Sequence, residues 1–285
     1  MNFCHIAPTP HLSLTDGRPV HLVLAHLIEQ DDSYVQYYIE QKEKYNCTLI
    51  MDNSAFEMFK QNKPMYDPNK LLTMANRINA DYIVMTDYPG HESIHTINEA
   101  KTLAPQFKDA GYKTFFVPQG NVGDVDDLLQ SFTWAVDNSD LVDYIGVSIL
   151  SAPLAYEVES GNKMQRFVSR LRLMYDLREY GILQEIARNL QKVHMLGMVD
   201  GPNEIMFMEP FAGHINTWDS SAAVWAGLNG ITFDETPTGL RNGKFEEEVD
   251  FSFKTTDDTA INCCKENMEY IDYLCSKYHG EHFEI

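Results

Sequence analysis

The chain has 285 residues, 44% of them hydrophobic and 12% aromatic, which is enough for one large domain with a sizeable core. A formal net charge of −20 argues against a protein that coats nucleic acid indiscriminately. No run approaches the ~18–20 apolar residues of a membrane span, the opening MNFCHIAPTPHL lacks a signal-peptide pattern, and Cys4, Cys47, Cys263, Cys264 and Cys275 form no paired framework. A cytoplasmic protein with reduced thiols is therefore expected.

Short apolar runs alternate with helix-period segments along the chain. The predicted strands are VHLVLAHLI (20–28), CTLIMD (47–52), DYIVMTD (81–87), KTFFVPQ (113–119), YIGVSIL (144–150), VHMLGMV (193–199) and HINTWD (214–219). Between them, SYVQYYIEQKEKY (33–45), PNKLLTMANRIN (68–79) and the long stretch 164–190 read as helices. Runs rich in Val and Ile, bounded by helices, suit a parallel sheet buried on both faces. Several early strands recur at roughly 30 residues, the length of one strand–helix unit. An eighth strand is expected in GLRNGKFEEEVDF (239–251), and no Gly-rich phosphate loop follows the first strand. A single-domain (β/α)8 TIM barrel over 1–285, ending in a helix at about 257–279, accounts for this pattern better than an open sheet.

In such a barrel the strand ends converge on one mouth, where chemistry is found. Asp52, Asp87, Gln119, Ser148 and Asp219 all fall at or just beyond strand ends. Each alone has a plain structural reading; Asp219, followed by Ser220, Ser221, Ala222 and Ala223, would make a good helix N-cap. Several carboxylates at the ends of buried strands are costly to place without a chemical use, and together they point to an active site. A second asymmetry is local charge. Lys163, Arg166, Arg170, Arg172, Arg178, Arg188 and Lys192 outnumber Asp176, Glu179 and Glu185 between 163 and 192, either as a solvated helix face or as a phosphate-contacting surface.

Seven segments, in order, resemble the tRNA-guanine transglycosylases and their compact DNA-modifying relatives. MDNSAFEMF (51–59) is similar to that family's Asp-Ser-Gly-Gly-Phe-Gln, MTDYPG (85–90) to its Phe-Asp-Glu strand end, and FFVPQG (115–120) to its Val-Gln-Gly-Gly. YIGVSI (144–149) resembles its Ile-Gly-Gly-Leu, and VHMLGMVDGPNEI (193–205) its Tyr-Leu-Met-Gly-Val-Gly-x-Pro. TWDSSAAVWA (217–226) resembles the archaeal Phe-Asp-Ser-Ala form of the nucleophile motif, and GLRNGKFEEEVDF the Ile-Arg-Asn-Ala-Arg-Phe segment.

The resemblance implies exchange of a guanine base in a polynucleotide for a 7-deazaguanine, through a covalent glycosyl-aspartate. It implies Asp219 as nucleophile, by retaining-glycosidase logic, and Asp52 as the carboxyl that handles protons on the departing and incoming bases. By the same resemblance Asp87 and Gln119 read the polar edge of the purine. The backbone amides of Gly146 and Val147 face its oxygen, Phe56 stacks on it, and Leu196 belongs to the same base pocket. The target nucleotide would have to leave its stack to enter.

Three departures are expected to matter. Asn53-Ser54-Ala55 stands for the family's Ser-Gly-Gly, and Val147 for the second Gly of Ile-Gly-Gly; both are expected to fill space near the base. The family's zinc site maps onto Asp258, Ala260 and Cys263, so no zinc and no other cofactor is expected, with a rearranged site from Cys264, Cys275 and His279 left open. Compact relatives of this kind, often encoded by phages, are associated with DNA. DNA is therefore favoured over tRNA as the partner, with Lys163, Arg166 and Arg170 as phosphate contacts and a homodimer allowed. Two other readings remain at this level: a non-catalytic partner subunit, and a barrel enzyme acting on a free nucleoside or sugar.

Overall fold

The computed structural model describes residues 1–159, 161–198, 201–233 and 248–280. Its centre is a sheet of eight parallel strands: β1 (Asn2–His5), β2 (Val20–Leu24), β3 (Thr48–Asp52), β4 (Tyr82–Val84), β5 (Lys113–Phe116), β6 (Tyr144–Ser148), β7 (Lys192–Leu196) and β8 (Thr217–Ser220). The order is β1-β8-β7-β6-β5-β4-β3-β2, and β1 packs beside β2, so the sheet curls into a nearly closed (β/α)8 barrel. It is a single domain with a C-terminal helix, Asp258–His279.

The eighth strand is not where the sequence placed it. It is β1, at the chain start, in register with β8 from Asn2 opposite Thr217 to His5 opposite Ser220. Asn-Phe-Cys-His has neither the β-branched content nor the length that signals a strand; pairing with β8 makes it one. Of the segment 239–251, residues 239–247 lie outside the described residues, and 248–251 form no strand. The run 20–28 also divides. Only Val20–Leu24 is strand, and Ala25–Gln30 is already helix.

Local chemistry explains the helix boundaries. Asp31 accepts hydrogen bonds from the amides of Ser33 (2.8 Å) and Tyr34 (3.4 Å) at the start of Asp32–Tyr45. Asp67 caps Pro68–Ile78 in the same way, with proline in the first turn. The stretch 164–190 is two helices, Lys163–Glu179 and Ile182–Arg188, interrupted at Gly181. The C-terminal helix packs on Ala222–Leu228 and is tied to the base of the barrel through Asp272, which meets Nη1 of Arg18 at 2.6 Å and Nε2 of His5 at 3.2 Å.

The interior is filled largely by aromatic rings. Phe115 stacks on Tyr144 with centroids 5.1 Å apart, while Tyr82 and His194 approach edge-on. This packed floor supports the mouth above it. All five cysteines are free, and among the described residues no helix is long and apolar enough to cross a membrane.

Candidate active site

Parallel strands carry their C-terminal ends to one side, so Asp52, Ser148, Leu196 and Asp219 meet around a cavity of about 350 Å³. That volume is within the ~300–1,000 Å³ usual for small-molecule sites. Asn53 and Asp87 line it from the loops beyond β3 and β4, and Phe56 and Glu57 from the short helix Ala55–Lys60 that follows β3. Since β3 and β7 stand four places apart in the eight-strand order, Phe56 and Leu196 face the cavity from opposite sides of the barrel.

Asp219 is held from below. Its Oδ1 accepts a hydrogen bond from Nε2 of His194 at 2.8 Å and another from the amide of Gly197 at 3.1 Å. Gly197 adopts φ +70°, which favours glycine, and its carbonyl accepts from the Trp218 indole (2.8 Å) and from Nη1 of Arg170 (3.0 Å). The glycine that presents an N–H to Asp219 is thus also held through its carbonyl, on the next peptide.

Burial raises the carboxyls of the remaining acids above their ordinary range. Burial pushes the Asp52 carboxyl well above the ordinary range, and the nearby carboxylates of Glu57, Asp219 and Asp87 push it further, against one hydrogen bond from the Ser54 amide at 2.8 Å. Burial raises Glu57 to about 7, with Asp219 adding to the effect and Lys60 opposing it; its Oε2 is buried with no hydrogen-bond partner. Burial raises Asp87 to about 6, although Asn53 Nδ2 donates to Oδ1 at 2.7 Å and Gln119 Nε2 to Oδ2 at 2.6 Å.

The structure brings together Asp219, Asp52, Asp87, Phe56 and Leu196 on the cavity wall. Gln119 sits behind Asp87, fully buried, with Oε1 unpaired. Gly146 lies in the floor. A Cβ there would meet the Phe115 ring at 2.6 Å and the Leu196 side chain at 2.8 Å, so the absence of a side chain is a packing requirement. The substitution at Val147 does not fill the cavity as expected. Strand alternation turns its side chain to the face opposite Gly146, outside the cavity lining. Asn53 does border the cavity, yet its amide is committed to Asp87 and, at 2.7 Å, to the Met85 carbonyl.

Arg170 requires the clearest correction. It is completely buried, paired with Glu204 at 2.9 Å, and bonded to the carbonyls of Gly197 and Val147, so it contacts no phosphate. Lys163 and Arg166 occupy the first turn of their helix, which follows β6 and therefore starts on the mouth side. The open alternative for zinc also fails. Cys264 and Cys275 lie eleven residues apart on one helix, about 16 Å along its axis, and Nε2 of His279 bonds the Ile205 carbonyl. Among the described residues no cluster of three His, Cys, Asp or Glu side chains could hold a metal. Glu57 and His194 escaped the sequence reading. Glu57 had a signal, an acid one turn into the helix after a strand-end Asp; His194, inside a strand, reads as core.

In sequence the chain matches no family model and no curated protein.

Proposed function

We propose that the chain is a nucleic-acid guanine transglycosylase that exchanges guanine for a 7-deazaguanine, in DNA rather than tRNA. The observation that carries this reading is the meeting at one cavity of a doubly hydrogen-bonded Asp219 and of Asp52, whose carboxyl burial and neighbouring acids push up. The seven motif resemblances, in chain order, supply the reaction; the choice of DNA rests on them alone.

In this mechanism a carboxylate oxygen of Asp219 attacks the anomeric carbon of the flipped nucleotide. The glycosidic bond breaks, its electron pair passes to guanine, and the departing base takes a proton from Asp52. The 7-deazaguanine then enters, gives its ring N–H proton back to Asp52, and displaces Asp219 from the sugar. Net configuration is retained. Phe56 and Leu196 would sandwich the base, and the Asp87–Gln119 pair would read its polar edge. Glu57 would serve as a reserve proton donor beside Asp52.

The test is exchange of labelled guanine into a guanine-containing DNA duplex and into tRNA, with covalent trapping in denaturant. Wild type is expected to form an adduct on DNA, and Asp219→Asn none, with the fold intact by circular dichroism. Adduct formation at the wild-type rate in that variant would remove Asp219 as the nucleophile. The net charge of −20 favours a second reading, a barrel enzyme for a free nucleoside, over any polymer-binding one. Turnover of free guanosine or deoxyguanosine without trapping on either polymer would establish it instead.

A further inference from the structure

We propose that His194 is a positioning residue whose buried hydrogen-bond chain pins Oδ1 of Asp219 and so selects Oδ2 as the attacking oxygen. The inference rests on the transglycosylase reading for its consequence, though not for its geometry.

His194 is fully buried beneath the cavity. Its register partner on β8 is Thr217, and Asp219 lies two residues further on the same face of that strand, so one imidazole reaches both. Nδ1 lies 2.6 Å from Oγ1 of Thr217, which in turn lies 2.8 Å from the phenol oxygen of Tyr144; Nε2 meets Asp219 Oδ1 at 2.8 Å.

Proton directions follow from satisfaction of buried groups. The Tyr144 hydroxyl has no other partner among the described residues, and burial keeps it protonated, so it must donate to Thr217. Thr217 then gives its own proton to Nδ1, which fixes the imidazole as acceptor there and leaves Nε2–H to donate to Asp219. Together with the Gly197 amide, this gives Oδ1 two donors. Oδ2 makes no hydrogen bond among the described residues, and Asp219 borders the cavity. The hydrogen-bond chain terminates on the Asp219 carboxylate.

Three variants and two readouts test this. Adduct formation on a guanine-containing DNA duplex is expected to slow about 10- to 100-fold in His194→Phe, the loss of one hydrogen bond to a charged group. The loss should fall on kcat with KM little changed, and His194→Gln, which can still donate, should recover part of it. Nitrogen NMR of histidine-labelled protein, with His194 assigned by its absence in His194→Gln, should show the proton on Nε2 and a bare Nδ1. Thr217→Val, which removes the partner of Nδ1, should disturb that tautomer and slow trapping. If His194→Phe does not fold, the Thr217→Val and His194→Gln results decide. A proton on Nδ1, or a trapping rate unchanged in every variant that folds, overturns the proposal. Absence of an adduct in wild type on DNA and tRNA overturns the transglycosylase reading instead, and the NMR result still decides the hydrogen-bond chain.

Discussion

At the scale of single residues, Glu57 shows how a site stores protons. Its carboxyl titrates near 7 in the fold because burial disfavours its charge. The folded state therefore holds a proton that the unfolded chain has lost, and this group's contribution to stability falls as pH rises from about 4.5 to about 7. Glu57→Gln should stabilise the protein by about 1–2 kcal/mol at pH 8 and by little at pH 4. Urea unfolding at the two pH values checks this, and equal shifts at both would refute the stored proton. Gly146→Ala should cost about 1–3 kcal/mol by forcing the Phe115 ring and Leu196 apart. The same change should reshape the cavity floor, so a thermal melt and a base-exchange assay should both register it.

Among the elements, the helix Lys163–Glu179 separates spacing from environment. Arg166 and Arg170, four apart, share a face, but that face turns inward and buries Phe167, Ser169, Arg170, Leu173, Met174 and Leu177. One turn moves an arginine from the rim to a sealed pair with Glu204 beneath the Trp218 ring. Arg170→Met should cost about 3–5 kcal/mol, because it removes the buried cation facing Glu204 and releases the Gly197 and Val147 carbonyls. Denaturant unfolding tests the cost; a change under 1 kcal/mol would mean that Glu204 finds another partner or a proton. This arginine is thus an architectural support of Asp219, two contacts removed through Gly197.

For the whole molecule, the charge of −20 and the polymer reading are compatible only if cations gather near the mouth. Lys60 lines the cavity, and Arg166 lies in the mouth-side turn of its helix. Changing both to Glu should weaken DNA binding and lower the slope of its salt dependence by about 2, one for each lost phosphate contact. A slope equal to wild type would take both out of the interface. The barrel itself was legible in the chain because its cause is local and repeated. Apolar runs such as TLIMD and YIGVS, each followed by a helical period, can bury both faces only in a parallel sheet covered by helices. The strand-end acids Asp52, Asp87 and Asp219 were legible for the same reason, since strand direction alone sends them to one mouth. Strand β1 was not, because Asn2–His5 is a strand only by pairing with β8, whose residues 217–220 lie far along the chain. Neither was the burial of Arg170, the outward turn of the Val147 side chain, nor the chain from Tyr144 through Thr217 to His194. Those depend on which side chains meet from different strands and helices, and no periodicity in one segment encodes its neighbour.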